Sequence, residues 1–222
     1  VNGLLTEECC RMRILRNNGL TIALMVAFLF SIGGMGLSGW NAHNENLVDH
    51  GQAAIGFLAY LASGDFISAV FENWESEFLQ MAAYVMLTAF LFQRGSAESR
   101  DPDEPEGKLP SIPPKLRSWH PFKRFLYSYS LGIAMALLFA LSFVAHVSGS
   151  LAAANEEALL HGGELDTLGS HLVSARFWFE SFQNWQSEFL STAVLVVLSI
   201  FLRFHGSPES KPVDAPDEST GA

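Results

Sequence analysis

The stretch Asn73-Trp74-Glu75-Ser76-Glu77-Phe78-Leu79 decides how this chain is read, because it returns as Asn184-Trp185-Gln186-Ser187-Glu188-Phe189-Leu190. The copies lie 111 residues apart, half of a 222-residue chain. Outward from the motif the same offset holds without a gap over residues 20–100. Asn44-Glu45 falls on Asn155-Glu156, His50-Gly51 on His161-Gly162, and Gly95-Ser96 with Glu98-Ser99 on Gly206-Ser207 with Glu209-Ser210. Chance likeness between apolar helices would match Leu and Ala, not polar residues in loops. The period is too long for a solenoid repeat, and two copies are too few. The chain reads as one two-helix unit, duplicated and fused.

Each motif opens an apolar run. The composition is 49% hydrophobic with 16% charged residues, and the apolar residues cluster. Leu20–Leu37 carries no charge, and Tyr127–Val147 is apolar apart from serines and a late His146. A span takes about 20 apolar residues. The first and third runs reach that alone. The second and fourth, Phe78–Phe92 and Phe189–Leu202, need the motif as their outer end, although a helix through the second run could begin near Asp65. The predicted spans are 17–39, 73–93, 125–148 and 184–204.

Arg11, Arg13 and Arg16 precede the first span, and seven Lys and Arg from Arg94 to Arg124 separate the second from the third. The loops 40–72 and 149–183 contain only Arg176. Lys- and Arg-rich short loops stay cytoplasmic, so both termini are predicted inside and the motif loops outside. Acidic residues count little in that rule, so the net charge of −10 does not oppose it. The first run is longer than a signal-peptide core, and its counterpart is internal, so it is read as a span.

The expected fold is an all-α integral membrane protein. It is a four-transmembrane-helix bundle of two tandem two-helix repeats, related by a pseudo-twofold axis along the membrane normal, with short helical outer lids. The expected parts are a cytoplasmic N-terminus (1–16), repeat 1 (17–100), a cytoplasmic linker (101–122), repeat 2 (123–205) and a disordered cytoplasmic tail (206–222). Small residues at four-residue spacing, Ala23, Ala27 and Ser31, then Gly132, Ala136 and Ala140, suit close helix packing or an oligomer interface.

Within the second span Asn73, Glu77, Gln80 and Tyr84 share one helix face. An ionisable group in a span usually faces the bundle interior or water. Glu77 and Glu188, with Asn73, Asn184, Gln80 and Tyr84, are therefore candidates for an ion or proton path. The competing reading is architectural. Asn73 with Ser76 and Asn184 with Ser187 would cap the start of a span, each glutamate would sit favourably at a helix N-terminus, and Trp74 and Trp185 would anchor the corner at the interface. Glu75 becomes Gln186 in the second copy, so that position is not expected to be essential in both halves.

His50 and His161, with Glu45 and Glu156, are weak candidates for a metal. His146 falls on Met35, so paired axial haem ligation is not expected. No cofactor is predicted. Adjacent Cys9 and Cys10 have no metal spacing. Nothing basic suits nucleic acid.

The doubled Asn-Trp-x-Ser-Glu-Phe motif followed by Gly-Ser-x-Glu-Ser resembles a family of small bacterial integral membrane proteins of unknown function, over Leu20–Arg100 and Leu131–Lys211. The resemblance implies a four-span protein of the bacterial inner membrane and no activity. The expected function is non-enzymatic: a transporter or channel-like bundle moving an ion or proton past Glu77 and Glu188. The alternative is a structural or accessory subunit of a larger membrane complex, or a homo-oligomer in the lipid bilayer. A lipid-acting enzyme would need His50 or His161 to converge with a glutamate.

Overall fold

The computed structural model describes residues 2–103 and 113–221, with side chains from Leu15 onward except Pro114. Among these residues the chain is all-helical and divides into two units, 1–66 and 67–222. The side chains of Cys9 and Cys10, and the centre of the expected linker, lie outside the described residues.

In the first unit, α1 (Asn2–Asp49) leaves helical geometry once, at Asn18 (φ −129°, ψ 18°). α2 (Phe57–Leu61) follows a short turn. Asn44 near the end of α1 fixes that turn by bonding both polar groups of one peptide: its Nδ2 donates to Ile55 O at 3.1 Å and its Oδ1 accepts from Ile55 N at 2.8 Å. Trp40 Nε1 also donates to Ile55 O, at 2.8 Å. Tyr60 of α2 rests on Gly39, where a Cβ would sit 2.1 Å from the phenol oxygen. No larger residue fits at that position.

The second unit contains most of α3 (Gly64–Phe90), then α4 (Pro114–Arg117), α5 (Pro121–Ser128), α6 (Ser130–His161), α7 (Leu168–Leu172) and α8 (Ala175–Phe201). Contacts between α3 and α8 advance in the same direction along both: Glu72 with Asn184, Glu75 with Trp185, Gln80 with Thr192. The two helices are therefore parallel. α6 runs antiparallel to them, meeting α3 at Gly149–Ser68 and Gly132–Val85. A Cβ on Gly149 would lie 2.5 Å from Ser68 N, so this glycine sets the closest approach of α6 to α3.

Local geometry recurs at the 111-residue offset. Tyr129 (φ −114°, ψ 14°) separates α5 from α6 as Asn18 breaks α1. Asn155 bonds Asp166 O and N at 3.1 and 2.7 Å, as Asn44 bonds Ile55. Gln93 N donates to Ser99 Oγ at 2.8 Å, and Phe204 N to Ser210 Oγ at 2.9 Å. Gly95 and Gly206 both take φ above 80°, so the Gly-Ser-x-Glu-Ser segment is a turn that needs its glycine.

One expectation requires correction. The motif does not start a helix. α3 and α8 begin nine residues earlier, at Gly64, beside the Asp65 start read from the sequence, and at Ala175, where Ser63 Oγ accepts from Phe66 N at 3.3 Å and Ser174 Oγ accepts from Phe177 N at 3.2 Å. Asn73 and Ser76 instead donate back to Ala69 O and Asn73 O within an unbroken helix. Trp74 and Phe78 continue an apolar i, i+4 series from Val70, which favours helix straight through the polar residues.

The lid segments hold α2 and α7, while α1 and α6 run on to Asp49 and His161 before them. The tail folds around Lys211. Lys211 is 1% exposed and donates to Pro216 O, Asp217 O and Ser219 O at 3.1–3.4 Å. Gly221 N reaches Ser96 O at 2.9 Å. A composition that looks disordered is held by one ammonium wrapped in carbonyls. Burial, then the nearby Arg203, pushes that ammonium below its ordinary value.

Among the described residues two helices are long and apolar enough to cross a membrane: α1 from Leu15, and α6. Only 6% and 17% of their most apolar windows are buried, unlike the core helices of a soluble domain. At about 1.5 Å per residue both exceed the roughly 30 Å hydrocarbon layer. α3 and α8 fall short of that apolar standard because the motif dilutes their apolar runs with Asn, Ser, Gln and Glu.

Candidate functional site

The predicted stripe lies between the two parallel helices. Gln80 Nε2 donates to Thr192 Oγ1 at 2.6 Å, and Thr192 in turn donates to Glu188 O at 3.0 Å. Tyr84 OH donates to Glu98 Oε2 at 3.0 Å. A cavity of about 430 Å³ is lined by Gln80, Tyr84, Thr88, Thr192, Glu98 and apolar side chains of both helices. Glu98 belongs to the first Gly-Ser-x-Glu-Ser turn. Burial raises its carboxyl above the ordinary range; the bond from Tyr84 opposes this, and Glu209, its counterpart in the second turn, reinforces it.

Glu77 and Glu188 lie within electrostatic reach of each other, but neither lines that cavity. Glu77 is exposed and Glu188 half-buried, one helical turn from Gln80 and Thr192. Both sit near the middle of their helices, where no free backbone amides remain to cap. Asn73 is exposed. Asn184 donates to the Glu72 carboxylate. Of the corner residues, Trp74 packs edge-on against Phe71 at 5.2 Å. Ser187 donates to Asn184 O at 2.8 Å, as Ser76 does to Asn73 O. Trp185 turns inward among Phe139, Trp178 and Phe182.

Among the described residues the most buried ionisable groups are not among the expected site residues. Glu75 and His146 are both fully buried, with Oε2 and Nδ1 3.1 Å apart. The other carboxylate oxygen accepts from Trp185 Nε1 at 3.2 Å. Phe177, also fully buried, stacks on the imidazole at 5.2 Å and 30°. The pair joins α3 to α6, and Trp185 ties α8 to it. A signal for it was present in the repeat: Glu75 and His146 both depart from their counterparts, Gln186 and Met35.

Beside this pair, His171 Nε2 meets Ser150 Oγ at 2.8 Å in the interior, and burial lowers the imidazole from its ordinary value. The counterparts of these two residues are Tyr60 and Gly39. In one half a large phenol fills the room left by a glycine; in the other a smaller ring bonds a serine.

A second recess of about 280 Å³ is lined by Glu157, His161, Asp166, His171, Ser174 and Arg176. Arg176 occupies Glu157 at 2.6 Å and Glu180 at 3.1 Å. His50 and His161 each turn Nδ1 to the carbonyl four residues back, Asn46 O at 2.8 Å and Glu157 O at 2.9 Å. Among the described residues no three His, Cys, Asp or Glu converge as metal ligands, and this holds for Glu45 and Glu156.

Residues 11–222 match the family described as Domain of unknown function (DUF6766), and the chain belongs to it. No curated protein and no solved structure matches the chain.

Proposed function

We propose that this member of the DUF6766 family is a four-span helical protein of the bacterial inner membrane, with both termini cytoplasmic, that passes a proton or small cation between α3 and α8. The observation that carries the reading is the 430 Å³ cavity along the polar stripe. It supplies hydroxyl, amide and carboxyl groups in series where an apolar bundle would supply none. Such groups are costly in a membrane interior and mark pathways more often than packing. At one end stand Glu98 and Glu209. One helical turn beyond the other end stand Glu77 and Glu188, whose mutual repulsion favours holding a proton or cation between them.

The four-span topology is supported by the Lys and Arg distribution and by the parallel course of α3 and α8, which two repeats of the same orientation require. Contacts between positions 110–112 residues apart along these helices are what a local twofold axis between them would produce.

A second reading, an accessory subunit or homo-oligomer, is supported by the exposure of Ala23, Ala27 and Ser31 on α1. Flux in liposomes separates the two. Proton or cation flux by the wild type is expected to fall roughly tenfold or more in Glu77→Gln/Glu188→Gln, the scale at which one lost charge interaction acts. Equal flux, or none in the wild type, would sink the path and leave the accessory role.

A further inference from the structure

We propose that the buried Glu75–His146 pair is a proton-binding site, separate from the α3–α8 path, in which one proton holds α6 to α3. The argument begins with charge. With Glu75 ionised and His146 neutral, the pair carries one uncompensated negative charge at a place with no exposed surface. Burying such a charge is strongly unfavourable unless it is paired. One proton taken from water makes the site neutral, either as carboxylate and imidazolium or as carboxylic acid and imidazole. The two groups lie 3.1 Å apart with Glu75 Oε2 and both imidazole nitrogens buried and without a hydrogen-bond partner, so a proton added to either one neutralises the charge felt by both and belongs to the pair.

The surroundings suit a proton and little else. Phe177 covers the ring face, Trp185 fixes the second carboxylate oxygen, and among the described residues no three His, Cys, Asp or Glu converge as metal ligands. The charged and titratable groups facing the pair are Glu72 on α3, Glu180 on α8 and His171 on α7. Glu72 adds negative charge and is engaged by Asn184. Glu180 is engaged by Arg176. His171 is engaged by Ser150. None of them bonds His146, so loading of the pair is read through Glu75 and Trp185. Releasing the proton leaves a repelling, unpaired carboxylate between α3 and α6, and loosens that contact.

The duplication supplies the control. At the counterpart positions the chain holds Gln186 and Met35, a neutral and an apolar residue that this helix architecture accommodates. Glu75→Gln/His146→Met therefore removes the proton site with residues already tried in the other half. Trp185 is the reporter. The full chain in lipid nanodiscs is titrated from about pH 5 to about pH 8, the range in which imidazole chemistry operates, while tryptophan fluorescence and proton uptake are followed.

The wild type is expected to show a fluorescence step with uptake of one proton. The step is absent in Glu75→Gln/His146→Met and in Trp185→Phe, and unchanged in Glu77→Gln/Glu188→Gln, so its failure is distinct from failure of the path. A step that survives in Glu75→Gln/His146→Met, or no step in the wild type, overturns the proposal. If the double variant does not fold, Glu75→Gln alone, which removes the buried carboxylate, makes the same comparison.

Discussion

Two glutamates two residues apart have opposite fates. Glu75 is fully buried and Glu77 exposed, because at 3.6 residues per turn they point about 200° apart. Spacing in the sequence gives that angle but not which of the two faces the protein. A glycine carries a similar lesson. Gly149 is where α6 touches the α3 backbone, whereas Gly34 has nothing within 4 Å of a built Cβ. Gly149→Ala is expected to destabilise the protein by about 1–3 kcal/mol, as overpacking does. Gly34→Ala should leave stability unchanged or raise it, since alanine is the better helix former. Thermal unfolding in detergent checks both; equal melting temperatures for the two variants would contradict the close approach at Gly149.

At the level of elements, the long helices were legible as apolar runs, but their ends were not. Asn and Ser in the doubled motif resemble caps, yet the caps are Ser63 and Ser174, each three residues before a phenylalanine. A cap is a backbone geometry, and its residue types also occur inside helices with their side chains turned back onto the preceding turn. The tail shows the same limit. Its Pro- and Asp-rich composition reads as disorder, while Lys211 gathers three carbonyls about one ammonium. Lys211→Ala should release this segment. Amide exchange at residues 212–221 is expected to rise by roughly tenfold or more as local opening becomes easier, with α8 unaffected. Unchanged exchange would show that the tail is held by other contacts.

On the scale of the whole molecule, the proposed topology puts His50 outside and both termini inside. In otherwise cysteine-free protein, a cysteine at position 50 should react with an impermeant thiol reagent in intact cells, and one at position 210 only after lysis. The reverse pattern would invert the path along α3 and α8 as well as the charge reading on which it rests.

The sequence by itself determined the recurrence of polar residues at a 111-residue offset, the helical class and the apolar runs, because identities at a fixed offset and runs of apolar residues are written in the order of the chain. Stripe membership of Gln80, Tyr84 and Thr192 followed in part, since Gln80 and Tyr84 share a helix face by spacing alone. Only the tertiary structure decided that Glu75 meets His146. Their positions are 71 apart on different helices, and the contact depends on the rotation of each helix about its axis and on the approach that Gly149 allows. Local periodicity fixes relative angles within one helix; packing between helices fixes which angle points inward.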